Sequence, residues 1–213
     1  HSYMRAVYKY PQQAFPYERL RQENASRDRS DPEFELHDTD VFDDDAYFDC
    51  FVEYAKAGPD DILIRYSVVN RGRQKRPLTL LPTCWFRNTW GWGREGEGYT
   101  QRPQISRHGD GGLQLQHEQL GEWRFWVEGD HPLVFTENES NLELLYGSKN
   151  PQPYVKDAFH RHVVDGHTNA VNPAAQGTKA AAVISLELDG GEEVELRFRL
   201  CAAQNAPDRP FGR

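Results

Sequence analysis

The chain has little sulfur, no excess of positive charge and no long apolar run, and each shortage removes a class of function. Three cysteines, Cys50, Cys84 and Cys201, are spread over 213 residues. They are odd in number, far apart and set in apolar, strand-like contexts. They therefore read as small buried hydrophobes of a reducing compartment, not as a disulfide frame or a metal knuckle. On that reading the sequons Asn24-Ala25-Ser26 and Asn138-Glu139-Ser140 stay unmodified, and the expected location is cytoplasmic. The formal net charge is −8, which argues against nucleic acid and anionic membrane as partners. No apolar stretch is long enough to span a bilayer, and no signal-peptide pattern stands at the start. The first residues, His1-Ser2-Tyr3, carry no initiator Met, which suggests a piece of a longer protein. Gly-rich phosphate loops, nucleophile elbows, HExxH and CxxC spacings are missing too. No cofactor and no metal is expected.

Aromatics are what the chain does have, and they concentrate. Three of the five tryptophans fall in Leu80-Leu81-Pro82-Thr83-Cys84-Trp85-Phe86-Arg87-Asn88-Thr89-Trp90-Gly91-Trp92-Gly93. An apolar strand over Leu78 to Leu81 leads into it. On an extended chain Trp90 and Trp92 would share a face. Arg87 and Asn88 supply fork and amide hydrogen bonds between the rings. Two readings stay open. Flat rings beside planar donors suit a sugar ring, and the same mixture fits a core or a domain interface, where Trp, Tyr and Arg dominate. The candidate substrate-binding or interface residues are thus Trp85, Arg87, Asn88, Trp90 and Trp92.

Period-two alternation governs most of the chain from Phe34 on. Phe48, Cys50, Val52 and Tyr54 alternate with Asp49 and Glu53. Ile62, Ile64, Tyr66 and Val68 alternate with Arg65 and Ser67, after a turn at Ala57-Gly58-Pro59-Asp60-Asp61. Further strands are expected over residues 113–116, 123–127, 133–135 and 142–146. Two closing strands, 181–188 and 193–200, flank Asp189-Gly190-Gly191, a hairpin signal. Val194, Leu196, Phe198 and Leu200 would face the core. Residues 93–112, Gly-rich and charged, read as an exposed, mobile loop. Near the start, Tyr3, Val7 and Tyr10 stand at helical spacing, and Pro16 could open a helix at Tyr17. A second short helix is expected within residues 157–164. The predicted fold class is mainly β: an antiparallel β-sandwich, supersandwich-like, with one or two short helices. The expected organisation is an N-terminal helical, aromatic segment at 1–30, a β-sandwich at 31–204 and a linker-like tail at 205–213.

Polar clusters offer little chemistry by spacing alone. Asp38, Asp40, Asp43, Asp44 and Asp45 could ligate calcium, but the central Gly and closing Glu of an EF-hand loop are missing, so a solvated turn is the simpler reading. His160, His162 and His167 do not fall on one helix face. Glu137 and Glu139 are candidates for a carboxylate pair only by proximity, since glycoside cleavage is defined by separation in space, and acids flanking a turn are usually solvated.

Several stretches together resemble one family. They are Tyr8-Lys9-Tyr10-Pro11-Gln12 with Ala14-Phe15-Pro16-Tyr17, Phe51-Val52-Glu53-Tyr54-Ala55-Lys56-Ala57, and Leu81-Pro82-Thr83-Cys84-Trp85-Phe86-Arg87-Asn88-Thr89-Trp90. Phe135-Thr136-Glu137-Asn138-Glu139, Pro153-Tyr154-Val155-Lys156-Asp157-Ala158-Phe159-His160, and Asn172-Pro173 with Gly177-Thr178-Lys179-Ala180-Ala181 extend the match. The chain resembles the β-sandwich part of large bacterial proteins similar to glycoside hydrolase family sixty-three, the processing α-glucosidases. That resemblance implies an accessory, non-catalytic sandwich preceding an (α/α) barrel, which carries the acid and base of an inverting α-glycosidase. The barrel of the same parent chain would be the partner, with the sandwich helping to shape the substrate cleft, and an oligosaccharide is a second candidate partner. No catalytic residue carries over to this chain. Two other functions remain open: a free-standing carbohydrate-binding module built on the tryptophans, and a small enzyme using Glu137, Glu139 or the aspartate cluster.

Overall fold

The computed structural model describes residues 2–96, 100–109 and 111–212, with the side chain of Trp92 left outside that set. The strands are β1 (Tyr3–Pro11), β2 (Tyr47–Gly58), β3 (Asp61–Asn70), β4 (Arg76–Leu80), β5 (Thr83–Trp85), β6 (Gln104–Arg107), β7 (Leu113–His117), β8 (Gly121–Val127), β9 (Leu133–Thr136), β10 (Gln176–Gly177), β11 (Lys179–Ala182), β12 (Ile184–Leu188) and β13 (Glu193–Ala202). Three short helices, α1 (Tyr17–Ala25), α2 (Leu142–Tyr146) and α3 (Ala158–Val163), interrupt them. The fold is a mainly β, antiparallel β-sandwich, as the alternation predicts.

Two compact units make up the chain. One gathers the residues up to 54 with 65–78 and 186–196. Its sheet follows the order β1-β2-β3-β13, and Phe48, Cys50, Val68 and Leu188 are buried in it. Asn70, fully buried, acts as its internal strut. The Asn70 side-chain amide donates to the carbonyls of Gln74 at 2.8 Å and Leu188 at 2.9 Å, while its oxygen accepts from Gln12 at 2.7 Å. A buried polar side chain persists only with such partners.

The other unit comprises residues 55–64, 79–185 and those from 197 on. Its larger sheet runs β13-β8-β7-β6-β10 and its smaller one β5-β11-β9. Antiparallel register puts Ile105 opposite Leu115, and Leu113 opposite Phe125. All four are buried, as is Phe198, whose ring stacks on Phe125 at 6.1 Å between centroids. Val134, Phe159 and Ala181 form a second apolar cluster with Leu81, Val171 and Val183 packed on it.

Several sequence expectations are corrected here. Residues 3–11 form a strand, not a helix. The 142–146 run is helix α2, not a strand. Residues 181–188 break at Val183 into β11 and β12, which join different sheets. The Asp189-Gly190-Gly191 turn therefore does not close a hairpin: β12 pairs with β4, while β13 lies between β3 and β8. Within the expected loop at 93–112, Gln104–Arg107 is strand β6; residues 93–96 are exposed, and 97–99 and 110 lie outside the described residues. The tail at 205–213 is not a free linker over its described part. Arg199 donates to the Pro210 carbonyl at 3.2 Å, and the Gly212 amide donates to the Arg209 carbonyl at 3.3 Å.

Candidate functional site

Strand β9 ends at Thr136, which is fully buried and donates its hydroxyl to the Val155 carbonyl at 2.8 Å. The next three residues are Glu137, Asn138 and Glu139. Gly177 lies against this point: a Cβ there would meet the Thr136 carbonyl oxygen at 2.2 Å, so only glycine fits. Thr178 then clamps the turn. Its amide and hydroxyl donate to Glu137 Oε2 at 3.0 and 2.7 Å, and its hydroxyl oxygen accepts from the Asn138 amide at 2.8 Å.

Arg102 joins the two acids. Its Nη2 lies 2.7 Å from Glu137 Oε2 and 2.9 Å from Glu139 Oε1. The two carboxylate side chains are only 15% and 14% exposed, which contradicts the expectation of solvated acids at a turn. Trp90 closes the cluster. Its indole Nε1 donates to Glu139 Oε1 at 3.1 Å, and the Arg102 guanidinium carbon sits 5.5 Å from its ring centroid. Stacking a guanidinium on indole adds a cation–π attraction to the ion pairs.

The tryptophan segment is not extended at its end. Residues Trp90–Trp92 form one turn of 3-10 helix, stopped by Gly93 at φ 66°. The expected pairing of both indoles on one extended face is therefore overturned. Trp90 is half-buried, and the Trp92 side chain lies outside the described residues. Asn88 shapes the turn: its amide donates to the Asn138 carbonyl at 3.2 Å and its oxygen accepts from the Gly91 amide at 3.1 Å. Trp85 ends β5, which is at the margin of the smaller sheet, and is 58% exposed. Arg87 is exposed as well. The structure thus joins Trp90 to Glu139 and Asn88 to the neighbouring Asn138 carbonyl, and sets Trp85 and Arg87 on the surface.

Arg102 was invisible to sequence reasoning, because it lies in a Gly-rich charged stretch with no periodicity. Beside it opens a polar cleft of about 520 Å³, to which Arg102, Glu137, Asn172 and several glutamines contribute. Among the described residues no group of three His, Cys, Asp or Glu side chains could hold a metal ion. The aspartate run starts as a 3-10 turn at Leu36–Asp38, and Asp40 pairs with Arg19 at 3.1 Å.

Fold and site define an antiparallel β-sandwich carrying a half-buried carboxylate–guanidinium–indole cluster next to a polar cleft. No protein-family model matches the chain. It is 36% identical, over 234 aligned residues, to Uncharacterized protein YMR196W of Saccharomyces cerevisiae. The alignment takes in 93% of this chain and 21% of the yeast protein, so the chain spans about a fifth of that relative's length.

Proposed function

We propose that this chain is the accessory, non-catalytic β-sandwich of a larger cytoplasmic protein that resembles glycoside hydrolase family sixty-three. In that protein a separate (α/α) barrel would hydrolyse an α-glucoside with inversion, and the sandwich would support it and help form its cleft. One observation carries the non-catalytic half of this reading. Glu137 and Glu139, the nearest thing to an acid–base pair in the sequence, share Arg102 as a common donor, and Glu137 Oε2 also accepts twice from Thr178. A general acid needs a proton poised on an oxygen that faces its substrate. An oxygen already filled by three donors is built to hold a loop. The longer yeast relative supports the second half, since four fifths of its length is left for other domains. The sequence resemblance supports the barrel, and the three free cysteines suit a reducing compartment.

The test uses the parent protein and the 213-residue chain side by side. Glucose release from α-linked glucosides is expected from the parent and not from the chain. Turnover by the pure chain, abolished by Glu137→Gln, would overturn the division of labour. A second reading, a carbohydrate-binding module on the aromatic edge, is favoured by Trp85 alone, which presents 58% of its surface. Loss of glycan binding on Trp85→Ala is the result that reading requires.

A further inference from the structure

We propose that the cleft on the outer face of β6, β7 and β10 binds a short neutral oligosaccharide. Register makes the floor. Gln104 lies opposite Gln116, and Gln176 opposite Ser106, so these glutamines alternate with Ile105, Leu115 and Gly177, which are buried on the other face. Gln104, Gln116 and Gln176 are all exposed on neighbouring strands spaced about 4.8 Å apart, Gln104 directly opposite Gln116 and Gln176 one diagonal step from Gln104. Side-chain amides offer a donor and an acceptor each, which matches hydroxyls that also do both. Gln104 donates to Gln176 Oε1 at 3.0 Å and Asn172 donates to the Gln176 carbonyl at 2.7 Å, so part of the floor is ordered before any ligand arrives.

Charge and shape argue against phosphorylated, lipid and peptide ligands. Among the described lining residues the one guanidinium, Arg102, is already matched by Glu137 and Glu139, and Glu118 adds an acid, so no fixed positive charge there is left to hold a phosphate. The polar lining offers no slot for a lipid or an apolar drug-like molecule. Strands β6 and β7 are paired on both sides, and the edge strand β10 is only two residues long, which leaves little main chain for an added peptide strand. At about 520 Å³ the cleft is within the range of small-ligand sites. Such binding needs no catalytic barrel and is independent of whether the parent protein is a glycosidase.

Isothermal titration of the full chain with maltotetraose and with cellotetraose tests this. Binding to at least one is expected. Gln104→Ala combined with Gln116→Ala should weaken it tenfold or more, whereas Trp85→Ala should leave it unchanged. In a parallel nuclear magnetic resonance titration, the side-chain amide signals of Gln104, Gln116 and Gln176 should shift. Four outcomes overturn the proposal: no heat with either sugar at millimolar concentration, full binding by the double glutamine variant, loss of binding in Trp85→Ala, or saturable binding of inorganic phosphate in place of sugar.

Discussion

Asp49 is a single residue on which two cations converge. Lys9 Nζ lies 2.7 Å from Oδ1 and Arg71 Nε 2.6 Å from Oδ2, and the carboxylate side chain is 7% exposed. Burial by itself would raise its pKa, yet the hydrogen bonds and charges of Lys9 and Arg71 hold it below the ordinary value of ~3.9. A depressed carboxyl contributes stability above its unfolded pKa and loses it as pH falls through the lower folded value. The urea midpoint of the protein should therefore decline below about pH 4, and Asp49→Asn should decline less steeply. Both cations are nearly half exposed and can re-solvate, so removal of Asp49 is expected to cost about 1–2 kcal/mol at pH 7.

The thiols make a second residue-scale prediction. Burial pushes Cys50 up to about 11 and Cys84 up to about 12. Cys84 as a whole residue is only half-buried, but burial is the sole cause of its shift, so the wall around the sulfur decides its chemistry. The thiolate is the reactive form. In the native protein at pH 8, an aromatic disulfide reagent should label Cys50 and Cys84 far more slowly than after unfolding in guanidinium. Rapid native labelling at either position would contradict the burial.

At the scale of elements, competition between periodicity and partners explains the differences from the sequence reading. Tyr3, Val7 and Tyr10 match a helix in spacing, but the alternate residues of β1 find partners on β2. Tyr3 donates to Glu53, Arg5 stacks on Phe51 at 4.9 Å, and Lys9 lies over Tyr47 at 4.1 Å while pairing with Asp49. Helix α2 reverses the case. Leu142, Leu144 and the intervening Glu143 alternate like a strand, yet Asn141 caps the Leu144 amide at 3.1 Å and Gly147 ends the turn at φ 66°. Asn before and Gly after are a helix signal, outweighed in the sequence reading by the alternation. The Asp189-Gly190-Gly191 turn has a role other than closing a hairpin. A Cβ on Gly190 would meet the Arg73 carbonyl oxygen at 2.5 Å, so this turn is pressed onto the main chain near Asn70. Gly190→Ala should cost about 1–3 kcal/mol, read as a lower urea midpoint with unchanged slope. An unaffected midpoint would mean that the contact relaxes freely.

For the molecule as a whole, cooperativity rests on the inner faces of the sheets. Its spacing from Leu196 and Leu200 puts Phe198 on the buried face, and it is 2% exposed and stacked on Phe125. Phe198→Ala should cost about 3–5 kcal/mol, a large part of the roughly 5–15 kcal/mol that stabilises an ordinary domain. Phe198→Asp should abolish the cooperative melt, because the unpaired charge adds its own desolvation penalty. A melting temperature within a few degrees of the parent would show that this face tolerates water.

Alternation by itself determined the class of this protein. Strands β2, β3, β7, β8, β9 and β13 are legible because a half-buried strand must place every second residue in the core, and helices α1 and α3 follow from Pro16 and from the loss of alternation after residue 148. Tertiary structure alone decided which strands pair, since β11 and β12 read as one apolar run until each is given a different neighbour. It alone made the site as well. Arg102 and Glu139 are 37 positions apart in chain order, and nothing local ties them. Their meeting depends on β6 and β9 reaching the same end of one unit, where Arg102 bridges two little-exposed glutamates and a row of glutamines faces open water.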